Sequence, residues 1–176
     1  METFKRILKK SLNDAARIAV LGVGSDLRGD DCAGLLVAES LQRACGSARP
    51  KRMKVFFGGT APENVTGEIK RYRPTHVVMI DSAEMGAPAG TVRLIDPAKV
   101  GGVSFCTHSL PLTVLTDYLE QELGCAILLI GIQPKAIAFS GAVAPQVKRA
   151  SVALAGILAT ISHRSAHLPI RYGKVR

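Results

Sequence analysis

Acidic side chains follow two of the apolar runs in this sequence. Asp30 and Asp31 come after the glycine-rich end of a run over residues 17–24, and Asp81 lies near the end of a run over residues 76–83. Aspartate at a helix N-terminus ordinarily caps backbone amides, which explains one member of the pair. The other is then available for chemistry, although capping alone remains an alternative. Asp81 follows strong strand formers, so it needs a metal, a proton or backbone amides as partners.

His108 lies in a loop just before a predicted helix that Ser109 can cap. A lone histidine is more often a structural residue than a ligand, and Cys106 nearby more often packs as a small apolar side chain than binds metal. Two carboxylates and one imidazole at one edge of a sheet would nevertheless suit nickel or zinc better than calcium or magnesium. Three protein ligands would also leave coordination positions open, as a working site requires.

The glycines after the first apolar run do not predict a dinucleotide site. Their spacing is G-x-G-x4-G rather than G-x-G-x-x-G, and the acidic pair would repel a pyrophosphate at the helix N-terminus. The sequence also lacks G-x-S-x-G, H-E-x-x-H and a Cys–His pairing with an orienting Asn. A nucleotide-binding module is therefore a distant alternative.

Buried strands alternate with amphipathic helices along the chain. Such βαβ units indicate an α/β fold with a largely parallel sheet that is covered on both faces. In these sheets the ligand crevice lies beyond the carboxyl ends of the strands, so chemistry is expected just after Gly24, Gly59, Ala83 and Ile132. The predicted strands are 17–24, 53–59, 76–83, 90–96 (an edge strand or hairpin) and 125–132. The predicted helices are a short one at the N-terminus, 31–45, 62 to about 73, 109–123 and 145 to about 163.

Composition indicates one globular domain in 176 residues with a net charge of +9. The basic residues are not interleaved with aromatic ones, so we expect a solvated surface or an acidic protein partner and no nucleic acid. The four cysteines lack zinc-type spacing and are expected to be reduced thiols. No segment resembles a signal peptide or a membrane span, which predicts a cytoplasmic protein without membrane insertion.

Several segments together resemble the hydrogenase maturation endopeptidases, in particular the branch serving the formate-hydrogenlyase-type hydrogenase. The resemblance covers roughly residues 19–147, and its motifs occur in order with similar spacing. It places an N-terminal basic helix or extension (1–16) and a basic tail (164–176) outside a single peptidase domain (17–163). The motifs are VLGVGSDLRGDDCAG, GGTAPEN, RPTHVVMIDSAEMGAPAGTVRLIDP, THSLPL and GIQP.

The resemblance implies a three-layer αβα fold with a twisted, mostly parallel five-stranded sheet and an additional edge strand or hairpin. It implies cleavage of a C-terminal extension from the large-subunit precursor of a nickel–iron hydrogenase after nickel insertion. Asp31, Asp81 and His108 match the family's catalytic and metal-binding positions. Gly58 and Gly59, with Thr60, match a loop near the substrate channel.

Three positions depart from the family pattern. Ser25 replaces the usual Asn after the second glycine, Cys32 replaces a Gly after the double acid, and Phe57 replaces an acid before the glycine pair. These changes bear on which hydrogenase is served more than on the metal triad.

The hypothesis from sequence is that nickel is carried by the substrate and that the resting, monomeric enzyme holds little or no metal. Nickel would then be the recognition element. Direct catalysis by two carboxylates, as in aspartic proteases, is an alternative mechanism. A nickel-binding chaperone or sensor without peptidase activity is an alternative function.

Overall fold

The computed structural model describes residues 2–46, 52–96, 104–105 and 111–163. Four parallel strands and one antiparallel strand form the sheet in the order β2-β1-β3-β6-β4, and the short β5 pairs antiparallel with the end of β3. The predicted edge strand is β4, which pairs only through β6 among the described residues. The strands are β1 (Ile18–Val23), β2 (Met53–Gly59), β3 (His76–Glu84), β4 (Val92–Ile95), β5 (Ser104–Phe105) and β6 (Ala126–Ile132).

Helices cover both faces of the sheet, which confirms the predicted three-layer α/β fold. Alternate residues of the strands point to opposite faces, so Val20 joins one core cluster while Leu21 joins the other. The first cluster contains buried side chains of α1, α2 and α5, and the second contains those of α3 and α4. The helices are α1 (Glu2–Ser11), α2 (Ala33–Cys45), α3 (Thr66–Tyr72), α4 (Leu112–Leu123) and α5 (Pro145–Ser162).

Two of the predicted helices begin differently in the structure. A 3-10 turn over Gly29–Cys32 precedes α2, and another over Pro62–Val65 precedes α3. The prediction of a helix starting at residue 31 was therefore wrong in its first turn. The acidic pair lies in the tighter turn rather than at the N-terminus of the α-helix itself.

Helix α1 packs onto the domain rather than extending away from it. Leu8 and Leu12 are fully buried in the first core cluster. The guanidinium of Arg52 donates hydrogen bonds of 2.6 Å to the carbonyl oxygens of Ala15 and Leu12. The boundary at residue 16 stays a prediction, but α1 contributes to the same core as the strands. The basic tail over 164–176 lies outside the described residues.

No helix among the residues that the structure describes has the length and apolar character needed to cross a bilayer.

Candidate active site

Two fully buried carboxylates meet around Ser82. Asp31 belongs to the 3-10 turn after β1, and Asp81 lies within β3. The Ser82 hydroxyl donates a hydrogen bond to Asp31 Oδ1 (3.1 Å), and the Ser82 backbone N–H donates one to Asp81 Oδ1 (2.7 Å). The structure therefore brings together two of the three predicted site residues, which are far apart in sequence.

Backbone contact fixes the turn that carries Asp31 against the sheet. A Cβ atom on Gly34 would lie only 2.0 Å from the carbonyl oxygen of Ile80, the residue before Asp81. Gly24 has a positive φ of 130°, and a Cβ there would lie 1.9 Å from the Asp31 carbonyl oxygen. Glycine is required at both positions, because a side chain at Gly24 would push the Asp31 turn away from β1, and one at Gly34 would push α2 away from β3.

Asp30 has a different role from its neighbour. One of its carboxylate oxygens accepts hydrogen bonds from the backbone N–H groups of Lys135 (2.7 Å) and Ala136 (3.1 Å). The other accepts one from Ala144 N–H (2.6 Å), at the start of α5. Asp30 is 1% exposed and ties the loop between β6 and α5 to the β1 edge. One aspartate of the pair thus caps amides, as expected, but those amides belong to a distant segment.

The third predicted ligand, His108, lies outside the described residues, as does Cys106. In the part of the chain that the structure describes, no three His, Cys, Asp or Glu side chains form a metal-binding group. The triad of Asp31, Asp81 and His108 therefore remains a prediction. The positions of Asp31 and Asp81 around Ser82 agree with it.

The predicted substrate-channel residues lie beside this acidic pair at the end of β2. Gly59 is the register partner of Val23, and Gly24 N–H donates a 3.0 Å hydrogen bond to the Gly59 carbonyl. Thr60 follows and is exposed, whereas Gly58 is buried against Leu21 and Pro62. Their contact with a substrate stays a prediction, but their position at the carboxyl edge agrees with it.

The positions that depart from the family pattern have distinct surroundings. Ser25 is buried, and its hydroxyl accepts a 3.3 Å hydrogen bond from Leu27 N–H, so it stabilises the turn after β1. Burial, together with the charge of Asp30, raises the pKa of the Cys32 thiol to about 11. A thiol with a pKa this high is protonated at neutral pH, which disfavours a nucleophilic role. Phe57 is 40% exposed at the same edge of the sheet.

Two residues of the site edge were not identified from the sequence. Ser82 follows Asp81 directly and could have been noticed as a hydroxyl beside the candidate acid. Gln133 follows the predicted end of β6 and is 3% exposed. Its Oε1 accepts hydrogen bonds from Met85 N–H (2.7 Å) and Ala87 N–H (3.3 Å), and its Nε2 donates to Glu84 (2.8 Å). The side chain thereby holds the loop that follows β3.

A separate cleft of about 680 Å³ lies at the opposite, amino edge of the strands. Its lining includes Arg17, Arg71, Arg73 and Lys70. These cations lie around the C-terminal end of α3, where positive side chains complement the helix dipole. The residues that line the cleft do not include Asp31 or Asp81, so the cleft is not part of the candidate active site.

Comparison with known proteins gives matches that agree with this geometry. A family model described as hydrogenase maturation protease, HycI, matches residues 35–161, which include Asp81 and begin just after Asp31. The hydrogenase 3 maturation protease of Escherichia coli K12 is 37% identical over 121 residues, covering 68% of this chain and 74% of that protein.

Solved structures have the same architecture. The crystal structure of a [NiFe] hydrogenase maturation protease, HycI, from Thermococcus kodakarensis has a TM-score of 0.81 and 31% identity, covering 90% of this chain and 99% of its own. The hydrogenase maturating endopeptidase HybD of E. coli has a TM-score of 0.56 at 22% identity, covering 78% and 88%, and supports the fold alone. The sequence match over most of the chain and the shared fold show that this chain belongs to the hydrogenase maturation protease family.

Proposed function

We propose that this protease is an endopeptidase that removes the C-terminal extension from the nickel-loaded large-subunit precursor of a nickel–iron hydrogenase. The proposal adds to family membership the substrate, the bond that is cut and the role of nickel. Asp31, Asp81 and His108 are the residues proposed to engage the nickel that the precursor carries. We further propose that the enzyme acts as a monomer in the cytoplasm.

The observation that carries the proposal is the meeting of Asp31 and Asp81 around Ser82. Both carboxylates are fully buried, and a buried carboxylate is costly unless a cation, a proton or hydrogen bonds compensate its charge. Two of them at one place favour the arrival of a divalent cation or the sharing of a proton. A bound divalent cation and a shared proton can each help to activate water for peptide hydrolysis.

Asp31, Asp81 and His108 would hold the nickel that the precursor brings, and this nickel would supply the electrophile. Bound there, it would polarise the scissile carbonyl and lower the pKa of a bound water, while a carboxylate would take the proton of that water as it attacks and pass it to the leaving amine nitrogen. Ser82 keeps Asp31 oriented through its hydroxyl. The same carboxylates could also activate water by sharing a proton without direct metal chemistry.

The arrangement gives a physical basis for substrate selection. Two carboxylates and one imidazole leave a borderline cation incompletely coordinated, so the resting enzyme is proposed to hold little metal. A precursor that carries nickel completes the site, and an unloaded precursor does not. The enzyme then selects its substrate by the nickel that the substrate carries, and not only by the sequence at the cleavage point.

A processing assay with nickel-loaded and nickel-free precursor tests the proposal. Mass spectrometry should show loss of a C-terminal peptide only from the loaded precursor. Asp31→Asn, Asp81→Asn and His108→Ala should each reduce cleavage by a factor of about 10³ or more while thermal unfolding shows a folded protein.

Matched controls are Asp117→Asn, an exposed aspartate of α4, and His163→Ala, an exposed histidine at the end of α5. Both should process normally. Normal processing by two of the three site variants would refute the assigned roles. Binding of nickel-loaded precursor without any cleavage would favour the chaperone alternative, and equal cutting of both precursors would refute the role of nickel.

A further inference from the structure

An uncharged loop lies exposed beside the acidic edge of the sheet. Residues 136–143 read AIAFSGAV and form most of the connection between β6 and α5, with neither helix nor strand. Phe139 is 76% exposed, and Leu27 in the turn after β1 is 60% exposed. Leu27 and residues 136–143 together are called the apolar rim below.

The apolar rim differs from an ordinary surface loop. Single exposed apolar residues are common, but a run such as Ala136–Phe139 with no charged residue is unusual unless a partner covers it. Aromatic side chains are also enriched at the centres of protein–protein contacts. The composition of the rim therefore indicates a contact surface.

The rim is held in one conformation. Ser140 N–H donates a 2.8 Å hydrogen bond to the Leu27 carbonyl, which joins its two segments. Asp30 accepts amide hydrogen bonds at both ends of the loop, from Lys135 and Ala136 on one side and Ala144 on the other. Ser140 has a positive φ of 56°, a strained conformation for a residue with a side chain. A buried carboxylate and a strained residue thus keep an apolar loop exposed, which a loop without function would not require.

We propose that the apolar rim is a docking surface for an apolar patch on the hydrogenase large-subunit precursor, with Phe139 as its anchor. The proposal rests on the proposed function. The rim is continuous with the site, because Asp30, which holds it, is the chain neighbour of Asp31. A precursor seated on the rim therefore lies next to the turn that carries Asp31.

The size of the rim favours a transient substrate over a second copy of this chain. Leu27 and Phe139, the two large exposed side chains of the rim, together offer on the order of 400 Å² of contact area. A standard stable interface buries roughly 800 Å² on each partner. The rim alone fits the brief contact of an enzyme with its substrate, where a preorganised surface reduces the entropy lost on binding.

Steady-state processing of nickel-loaded precursor by Phe139→Ser and Leu27→Ser tests the proposal. Each variant should raise KM about tenfold or more and leave kcat within twofold, because the rim binds substrate but does not touch the cleaved bond. Phe139→Leu, which keeps an apolar side chain, should recover most of the loss. Val152→Ser, an exposed apolar residue of α5, is the matched control and should behave as the wild type.

A second measurement separates this proposal from the proposed function. Affinity for nickel-free precursor, measured by biolayer interferometry, reports the docking surface without cleavage, and Phe139→Ser should weaken it about tenfold. An unchanged KM and affinity in Phe139→Ser would overturn the docking role even if processing proceeds. Sedimentation velocity that shows a wild-type dimer lost in Phe139→Ser, with precursor affinity unchanged, would also overturn it. If the wild type binds precursor through the rim but does not cut it, the proposed function fails and the docking surface stands.

Discussion

Ser82 contacts each candidate acid with a different group. Its backbone N–H holds Asp81, and its hydroxyl holds Asp31 from another part of the chain. Any substitution of Ser82 except proline keeps the backbone N–H and its hydrogen bond. A substitution to alanine removes only the hydroxyl. The two contacts can therefore be tested separately, and the hydroxyl is expected to orient Asp31 rather than to react.

Replacing Ser82 with Ala should lower kcat for precursor processing by roughly 10–100-fold, with KM within twofold, since an oriented carboxylate becomes loosely placed. Ser151→Ala is a matched control, because Ser151 is equally buried and donates to a backbone carbonyl of α2 at Ala33. Steady-state kinetics should separate the two variants. Equal kinetic effects in both would show that Ser82 contributes only to stability.

At the scale of single residues, the sequence predicted the acids but not their division of roles. Asp30 and Asp31 are adjacent, and either could have capped amides. The 3-10 turn directs Asp31 to Ser82, which is 51 residues away in the chain, and Asp30 to the loop before α5, where Ala144 is 114 residues away. Such long-range partners leave no local signal in a single sequence.

Among the elements, α2 lies in close backbone contact with the strands that carry the site. Gly34 in its first turn lies against the backbone of β3, and Gly22 in β1 lies against the backbone of α2. The neighbouring atoms are backbone oxygens, which do not yield as a flexible side chain would. Helix α2 is therefore positioned by contact between main-chain atoms.

Gly34→Ala should destabilise the protein by at least about 3 kcal/mol, the upper range for overpacking, because the new methyl group would overlap two carbonyl oxygens. Gly156→Ala is the control within another helix, α5, where an added Cβ meets nothing within 4 Å. It should stabilise by about 0.5–1 kcal/mol through helix propensity. Urea unfolding measures both, and a similar stability of the two variants would contradict the assigned contact.

The sequence predicted the existence and type of the elements better than their beginnings. Apolar runs marked β1, β2, β3 and β6, and Gly124 ends α4 with the expected left-handed φ of 57°. The 3-10 turns before α2 and α3 were not predicted. The acidic pair in the first turn and Pro62 at the start of the second are compatible with either an α-helix or a 3-10 turn. Hydrogen bonds to other segments decide between the two.

At the scale of the whole molecule, α1 and the sheet share one hydrophobic core. Arg52 is 9% exposed, and its guanidinium donates hydrogen bonds to the carbonyl oxygens of Leu12 and Ala15, just after α1. It is therefore unavailable for recruiting an acidic protein partner. Lys54 in turn lies over the Phe56 ring and 4.0 Å from Glu68.

Stability of the molecule should depend on pH through His76. Burial lowers the pKa of this imidazole, aided by the Arg52 charge and opposed by Asp14, whose carboxylate is 3.6 Å from Nε2. The folded state then binds its proton less readily than the unfolded state, where the pKa is about 6.5. This contribution is fully present above about pH 6.5 and is lost as the pH falls through the lowered value.

Thermal unfolding of the wild type and His76→Gln between pH 5 and 8 measures this contribution. The wild type should lose more of its Tm below pH 6.5 than the variant, whose neutral amide does not titrate. His163→Gln, an exposed replacement, should follow the wild type. Parallel curves for the wild type and His76→Gln would contradict the assignment.

On the largest scale, alternating strands and helices were sufficient to predict an α/β fold, but not the order of the strands. The order places β1 between β2 and β3, so the ends of these three strands meet and bring Gly59, Asp31 and Asp81 to one edge. Parallel pairing of non-adjacent strands depends on how the crossovers pack.

The seating of Gly34 against Ile80 has a consequence for how the molecule tolerates change. The spacing of the two acidic segments is set by atoms that every residue possesses, not by the volume of surrounding apolar side chains. Conservative replacements of leucine or valine in either core layer should then reduce thermal resistance well before they alter turnover. Sequences can drift in the interior of such a protein while the distance between its reactive groups stays constant.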